Sequence, residues 1–116
     1  ILSTIYVDLE TNVTKSKVFN KLSQFYKKDS FVKILKPDSL ISTNDVINTN
    51  NCFISVCKTK YKNKLILLSV IDNLIKGASG QAIQNMYLIY RFKFLCEFIS
   101  SGLFILIHLP VASRPS

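Results

Sequence analysis

Apolar and polar residues alternate from Ile1 to Leu9. Ile1, Ser3, Ile5, Val7 and Leu9 fall on one face, and Leu2, Thr4, Tyr6 and Asp8 on the other. With β-branched and aromatic side chains dominating, this spacing predicts a strand. Asn12-Val13-Thr14 offers a turn and a helix N-cap. The spacing then turns helical from Lys15 to Lys28, with Val18, Leu22 and Phe25 on one stripe and Phe19 and Tyr26 beside it. The lysines of this segment fall on the opposite side or near its C-terminal end, where positive charge suits the helix dipole. Phe31-Val32-Lys33-Ile34-Leu35 predicts a short strand closed by Pro37.

Residues 36–51 are rich in Ser, Thr, Asn and Asp and read as an irregular connection. Two further strands follow, Cys52 to Lys58 and Leu65 to Ile71, joined by the polar Tyr61-Lys62-Asn63 turn as an antiparallel hairpin. The second is apolar on both faces, which places it inside a sheet. Asp72-Asn73-Leu74 and Gly77-Ala78-Ser79-Gly80 then lead into a helix through Tyr90, with Ala82, Met86 and Ile89 on one stripe. Strand, helix, strands, helix is an α+β arrangement.

The 116 residues suffice for one domain, and a 48% hydrophobic fraction suffices for a core. The chain opens on Ile1 already in a strand pattern, as a fragment or processed product would. The net charge of +8 suits anionic partners. The lysines are scattered, however, and Lys, Asn, Ile, Phe and Tyr are together the residues that AT-rich coding favours. No helix-turn-helix or RNA-binding aromatic signature accompanies the charge, so no nucleic-acid partner is expected. Cys52, Cys57 and Cys96 form no CxxC and lack zinc spacing. Cys52 and Cys57 point to opposite faces of one strand, and all three read as buried, reduced thiols of a cytoplasmic protein. No metal site is expected.

The chemistry concentrates in Asp72-Asn73-Leu74-Ile75-Lys76-Gly77-Ala78-Ser79-Gly80-Gln81-Ala82-Ile83-Gln84-Asn85-Met86. A buried strand here ends in two polar residues, and a glycine-bearing loop then enters a helix. Glycine permits positive φ or close approach of another group. A helix N-terminus offers unpaired N–H groups to a phosphate, carboxylate or carboxamide oxygen. Asn73 carries both a donor and an acceptor and can read a carboxamide in one orientation. The two glycines alone suit a structural turn better than a ligand site.

As a whole this run resembles the motif D-N-L-x-K-G-A-[AS]-G-Q-A-x-Q-N-M of N-acetyl-gamma-glutamyl-phosphate reductases, and all fifteen positions fit. Supporting segments fall in the family's order: Ile1 to Leu9, Phe25-Tyr26, Phe31-Val32 and Asn51-Cys52-Phe53-Ile54. The resemblance implies a mixed or antiparallel sheet with helices on one face, part of a glyceraldehyde-3-phosphate dehydrogenase-like C-terminal domain. It implies an NADP-dependent oxidoreductase of arginine biosynthesis. In that family a cysteine attacks the acyl phosphate, and hydride reduces the resulting thioester to the semialdehyde. It also implies a homo-oligomer, and it assigns Asn73, Gly77, Gly80 and Gln81 to the nicotinamide side of the cofactor site.

Other family parts are missing from these residues. There is no G-x-G-x-x-G dinucleotide cradle, and no P-G-C-Y-P-T-like segment to supply the nucleophile. Cys52 and Cys57 lack its flanking glycine and proline. His108 stands alone in a part that does not match, so no catalytic residue is assigned. Residues 1–91 therefore read as a partial dimerisation and substrate domain, and 92–116 as a divergent apolar tail. Glu97 and His108 bracket an apolar stretch too short to span a bilayer, so no membrane partner is expected. The isolated chain is expected to be inactive. The alternative is a non-catalytic oligomerisation module.

Overall fold

The computed structural model describes residues 1–90, so Cys96, His108 and the expected tail lie outside the described residues. Four strands form one mixed sheet in the order β1-β4-β3-β2: β1 is Leu2–Asp8, β2 Val32–Ile34, β3 Cys52–Lys58 and β4 Lys64–Ile71. Helix α1 is Lys15–Phe25 and α2 is Gly80–Tyr90. The fold is α+β, as the pattern predicts. β4 lies between β1 and β3, antiparallel to both, which accounts for its apolar residues on both faces.

β2 runs parallel to β3, so both β1-α1-β2 and the link from β2 to β3 are crossovers between parallel strands. The first moves across the sheet toward β2 and the second moves back. With right-handed connections, the two must cover opposite faces. On one face α1 packs against β2 and β3, and Val56 and Leu65, which share that face, are buried there. On the other face the 35–47 segment packs Leu35, Ile41 and Val46 onto Phe53, Leu68 and Val70. The stretch read as an irregular connection is thus a structural layer. It holds a 3-10 turn at Thr43–Val46 whose start is capped by Asp45, accepting from the Ser42 N–H at 2.7 Å.

Local chemistry sets the element ends. The Thr14 hydroxyl accepts from the Lys17 N–H at 3.3 Å and caps α1. The helix stops at Phe25, short of the expected Lys28. Asp29 draws the chain into β2 by accepting from the N–H groups of Phe31 (2.8 Å) and Val32 (3.2 Å). Lys27 and Lys28 consequently follow the helix instead of closing its last turn, and Phe25 is exposed against an edge-on Tyr26 ring. The hairpin turn is tied by the Thr59 hydroxyl, which donates toward the carbonyls of Tyr61 (3.0 Å) and Lys64 (3.1 Å).

Helix α2 corrects the expected stripe. Ile83 and Tyr87 pack against buried Phe31 at the end of the sheet, whereas Ala82 and Ile89 are exposed. Cys52 and Cys57 do point to opposite faces, but both are half-buried instead of fully enclosed. Among the described residues no helix is long and apolar enough to cross a membrane, and no cluster could hold a metal ion.

Candidate functional site

β4 ends at Ile71, and the chain passes at once into a helical turn that runs through a π-type segment, Ile75–Ser79, into α2. Asp72 starts this turn. Its backbone carbonyl accepts from the N–H groups of Ile75 (3.3 Å) and Lys76 (2.8 Å), and its Oδ1 from the Leu74 N–H at 2.9 Å. Oδ2 accepts from the N–H of Asn48, a residue at φ 58°. Asp72 thus occupies the start of the turn with its own carboxylate, one oxygen on the turn's Leu74 N–H and the other on the Asn48 N–H. The break between turn and helix falls at Ala78, whose backbone leaves the helical region.

The four residues assigned by resemblance are not equivalent. Asn73 is exposed, and its side-chain amide makes no hydrogen bond among the described residues. It lies over Gly77, where a Cβ would collide with Asn73 Oδ1, and the Gly77 N–H donates to the Asn73 carbonyl at 3.1 Å. Gly80 faces the other way and is buried: a Cβ there would stand 2.5 Å from Asn50 Oδ1 and 2.8 Å from the Ile75 carbonyl oxygen. Neither glycine has positive φ, so close approach is the reason for both. Gln81 turns along α2 and donates to Asn85 at 3.4 Å. The structure therefore pairs Asn73 with Gly77, and sets Gly80 and Gln81 apart from them.

Sequence reasoning passed over Asn50, Lys76 and Gln84. The Lys76 ammonium donates to the Asn50 carbonyl (3.2 Å) and to Gln84 Oε1 (3.0 Å), and Asn50 Nδ2 donates to the same Gln84 oxygen at 2.9 Å. Burial lowers the Lys76 pKa, against weaker opposing fields from Cys52 and Asp29. The available signal was helical spacing, since 76, 80 and 84 recur every four residues and fall on one side of the turn and helix. Asn50 carried no such signal, because it comes from the 36–51 connection.

An exposed primary amide backed by glycine has the donor, the acceptor and the open approach that a carboxamide needs. Phosphate groups find no equivalent cradle among the described residues, where Asp72 fills the turn's positive end.

The four-stranded mixed sheet with this crossover pattern is an α+β domain, and the chain belongs to the family of the semialdehyde dehydrogenase dimerisation domain, whose signature matches residues 1–73. Among its relatives is the N-acetyl-gamma-glutamyl-phosphate reductase of Thermoanaerobacter pseudethanolicus, 46% identical over 90 residues, which are 78% of this chain and 26% of the relative. The same-named reductase of Vesicomyosocius okutanii is 48% identical over 90 residues, 78% of this chain and 25% of its own. A probable chloroplastic reductase of that name from Oryza sativa is 41% identical over 86 residues, 74% of this chain and 21% of its own. The chain spans about a quarter of the length of the curated relatives it matches.

Proposed function

We propose that this chain is the C-terminal portion of an N-acetyl-gamma-glutamyl-phosphate reductase, with residues 1–91 its dimerisation and substrate domain. The observation that carries the reading is Asn73: an exposed amide at the end of the interior strand, held over Gly77 inside the matching motif. In this role Asn73 orients the nicotinamide carboxamide of NADP, and Gly77 keeps the approach open. Gly80 and Gln81 act through the turn and the start of α2. The cofactor supplies hydride to an acyl group, and the nucleophile comes from a part of the enzyme outside these 116 residues. The reaction belongs to arginine biosynthesis, in a reducing, cytoplasm-like compartment that keeps Cys52 and Cys57 as thiols.

Two measurements test this. The isolated chain should show no NADPH oxidation dependent on N-acetyl-glutamyl phosphate. In a complete reductase carrying this segment, Asn73→Ala should weaken nicotinamide binding or slow hydride transfer by roughly tenfold or more, about the weight of one well-placed polar contact. Unchanged kinetics would reduce Asn73 to a strand cap.

A homo-oligomer is part of the same proposal. β1 leaves Leu2 and Tyr6 exposed on one face, and Ile1 and Ile5 on the other, beside half-buried Ile66 and Leu67 of β4. Apolar surface of this kind fits a second copy of the domain. This surface also carries the alternative reading, a module that associates without chemistry.

A further inference from the structure

Lys76 has no part in the reading just given, yet its side chain joins the turn to both the approach to β3 and α2. It is half-buried, and no carboxylate pairs with it among the described residues. Its ammonium is held by two neutral oxygens, the Asn50 carbonyl and Gln84 Oε1, and lies 5.6 Å from the centre of the Phe31 ring. Asn50 is fully buried, and among the described residues its Oδ1 has no hydrogen-bond partner while resting on Gly80. Three separate pieces of chain meet here: the approach to β3 (Asn50), the turn (Lys76) and α2 (Gly80, Gln84).

A cation loses hydration in such a place, and an apolar side chain of similar length would fill the space without that cost. What the ammonium adds is direction, because its donors fix the turn relative to both the sheet and α2. The Lys76 N–H donates to the Asp72 carbonyl and the Gly77 N–H to the Asn73 carbonyl. Displacing Lys76 therefore drags the residue pair that presents the Asn73 amide.

The geometry points to Lys76 as a positioning residue: through Asn50 and Gln84 its ammonium locks the 73–80 turn to the sheet and so aims the Asn73 amide. The functional consequence rests on the reading that Asn73 addresses a nicotinamide carboxamide. The structural lock does not.

The experiment is amide hydrogen exchange and NMR on the isotopically labelled 116-residue chain, comparing the parent with Lys76→Met and Gln84→Glu. Lys76→Met should speed exchange at Gly77 and Gly80 by about tenfold and shift the Asn73 side-chain amide signal, with Val56 and Leu67 in the sheet changed less than about twofold. Gln84→Glu keeps an acceptor for the ammonium and should preserve the parent's protection. Unchanged exchange at Gly77 and Gly80 in Lys76→Met would overturn the lock. Equal acceleration at Val56 and Leu67 would also overturn it, since the lysine would then support the whole fold. Nicotinamide mononucleotide is then titrated into each variant. A shift of the Asn73 amide in the parent that is lost in Lys76→Met supports the aiming role. No shift in the parent counts against the carboxamide reading alone, and the exchange comparison still decides the lock.

Discussion

The two halves of the sheet are built from similar residues and end up in opposite states. Around β3, α1 covers one face and the 35–47 segment the other, so that Val56 and Val70 have no exposed surface. Around β1, nothing among the described residues covers either face: Ile5 is 47% exposed and Tyr6 74%. Both strands alternate apolar residues of the same kind. The difference lies in where the two crossovers land: α1 lies over β2 and β3, the 35–47 segment extends as far as Leu68 and Val70 of β4, and neither packs on β1. A β-strand pattern therefore marks a residue as able to be buried, and the connections decide whether it is.

The largest expected effect sharpens that contrast. Leu65→Ala, at a position 3% exposed, should cost about 2–5 kcal/mol in urea-induced unfolding. Ile5→Ala should cost less than about 1 kcal/mol in the same chain, because nothing packs closed around it. Equal losses would mean that β1 is covered in solution, most simply by a second copy. Sedimentation of Ile5→Lys and Tyr6→Lys, one on each face, then asks which face carries the contact. One of them should weaken self-association by about tenfold or more, and no effect from either would remove β1 from the interface.

The next prediction sets the two glycines against each other. Gly80→Ala puts a methyl group against Asn50 and the Ile75 backbone and should destabilise the chain by about 1–3 kcal/mol. Gly77→Ala meets only the exposed Asn73 side chain, which can swing away, and should change stability by less than about 1 kcal/mol while disturbing the Asn73 amide signal. Two small pH effects follow. Asp38, at φ 62°, bonds to Lys15 and accepts from the Lys58 N–H at 2.9 Å, and these contacts hold its carboxyl below 3.8. The advantage of the parent over Asp38→Asn should be present above that pH and disappear as pH falls through the lowered folded value. Lys76 titrates in the other sense. Its folded pKa lies below the ordinary 10.5, so the unfolded chain binds the extra proton between the two values. Stability relative to Lys76→Met should therefore rise with pH as it approaches 10.5.

Much of this was readable from residues alone. Alternation marked β1, the double-sided apolar run marked β4 as interior, and Thr14 marked the start of α1. The fifteen-residue run pointed to Asn73. Misreadings arose where distant residues decide. Phe25 continues the helical stripe but is the last residue of α1 and stays exposed, because Asp29 ends the helical run soon after it. Ala82, Met86 and Ile89 make as good a stripe as Ile83 and Tyr87, and only the location of Phe31 selects the second. The polar 36–51 stretch gave no sign of packing on the sheet, because its two apolar anchors, Ile41 and Val46, set up no period.

Local spacing carries the elements, the interior strand and the family motif, since each depends on neighbours within a few residues. Tertiary structure alone decided which apolar faces are closed, which glycine is confined, and that Asn50 meets Lys76 and Gln84. Those facts depend on contacts between residues as much as 34 positions apart, and no local spacing encodes such a meeting.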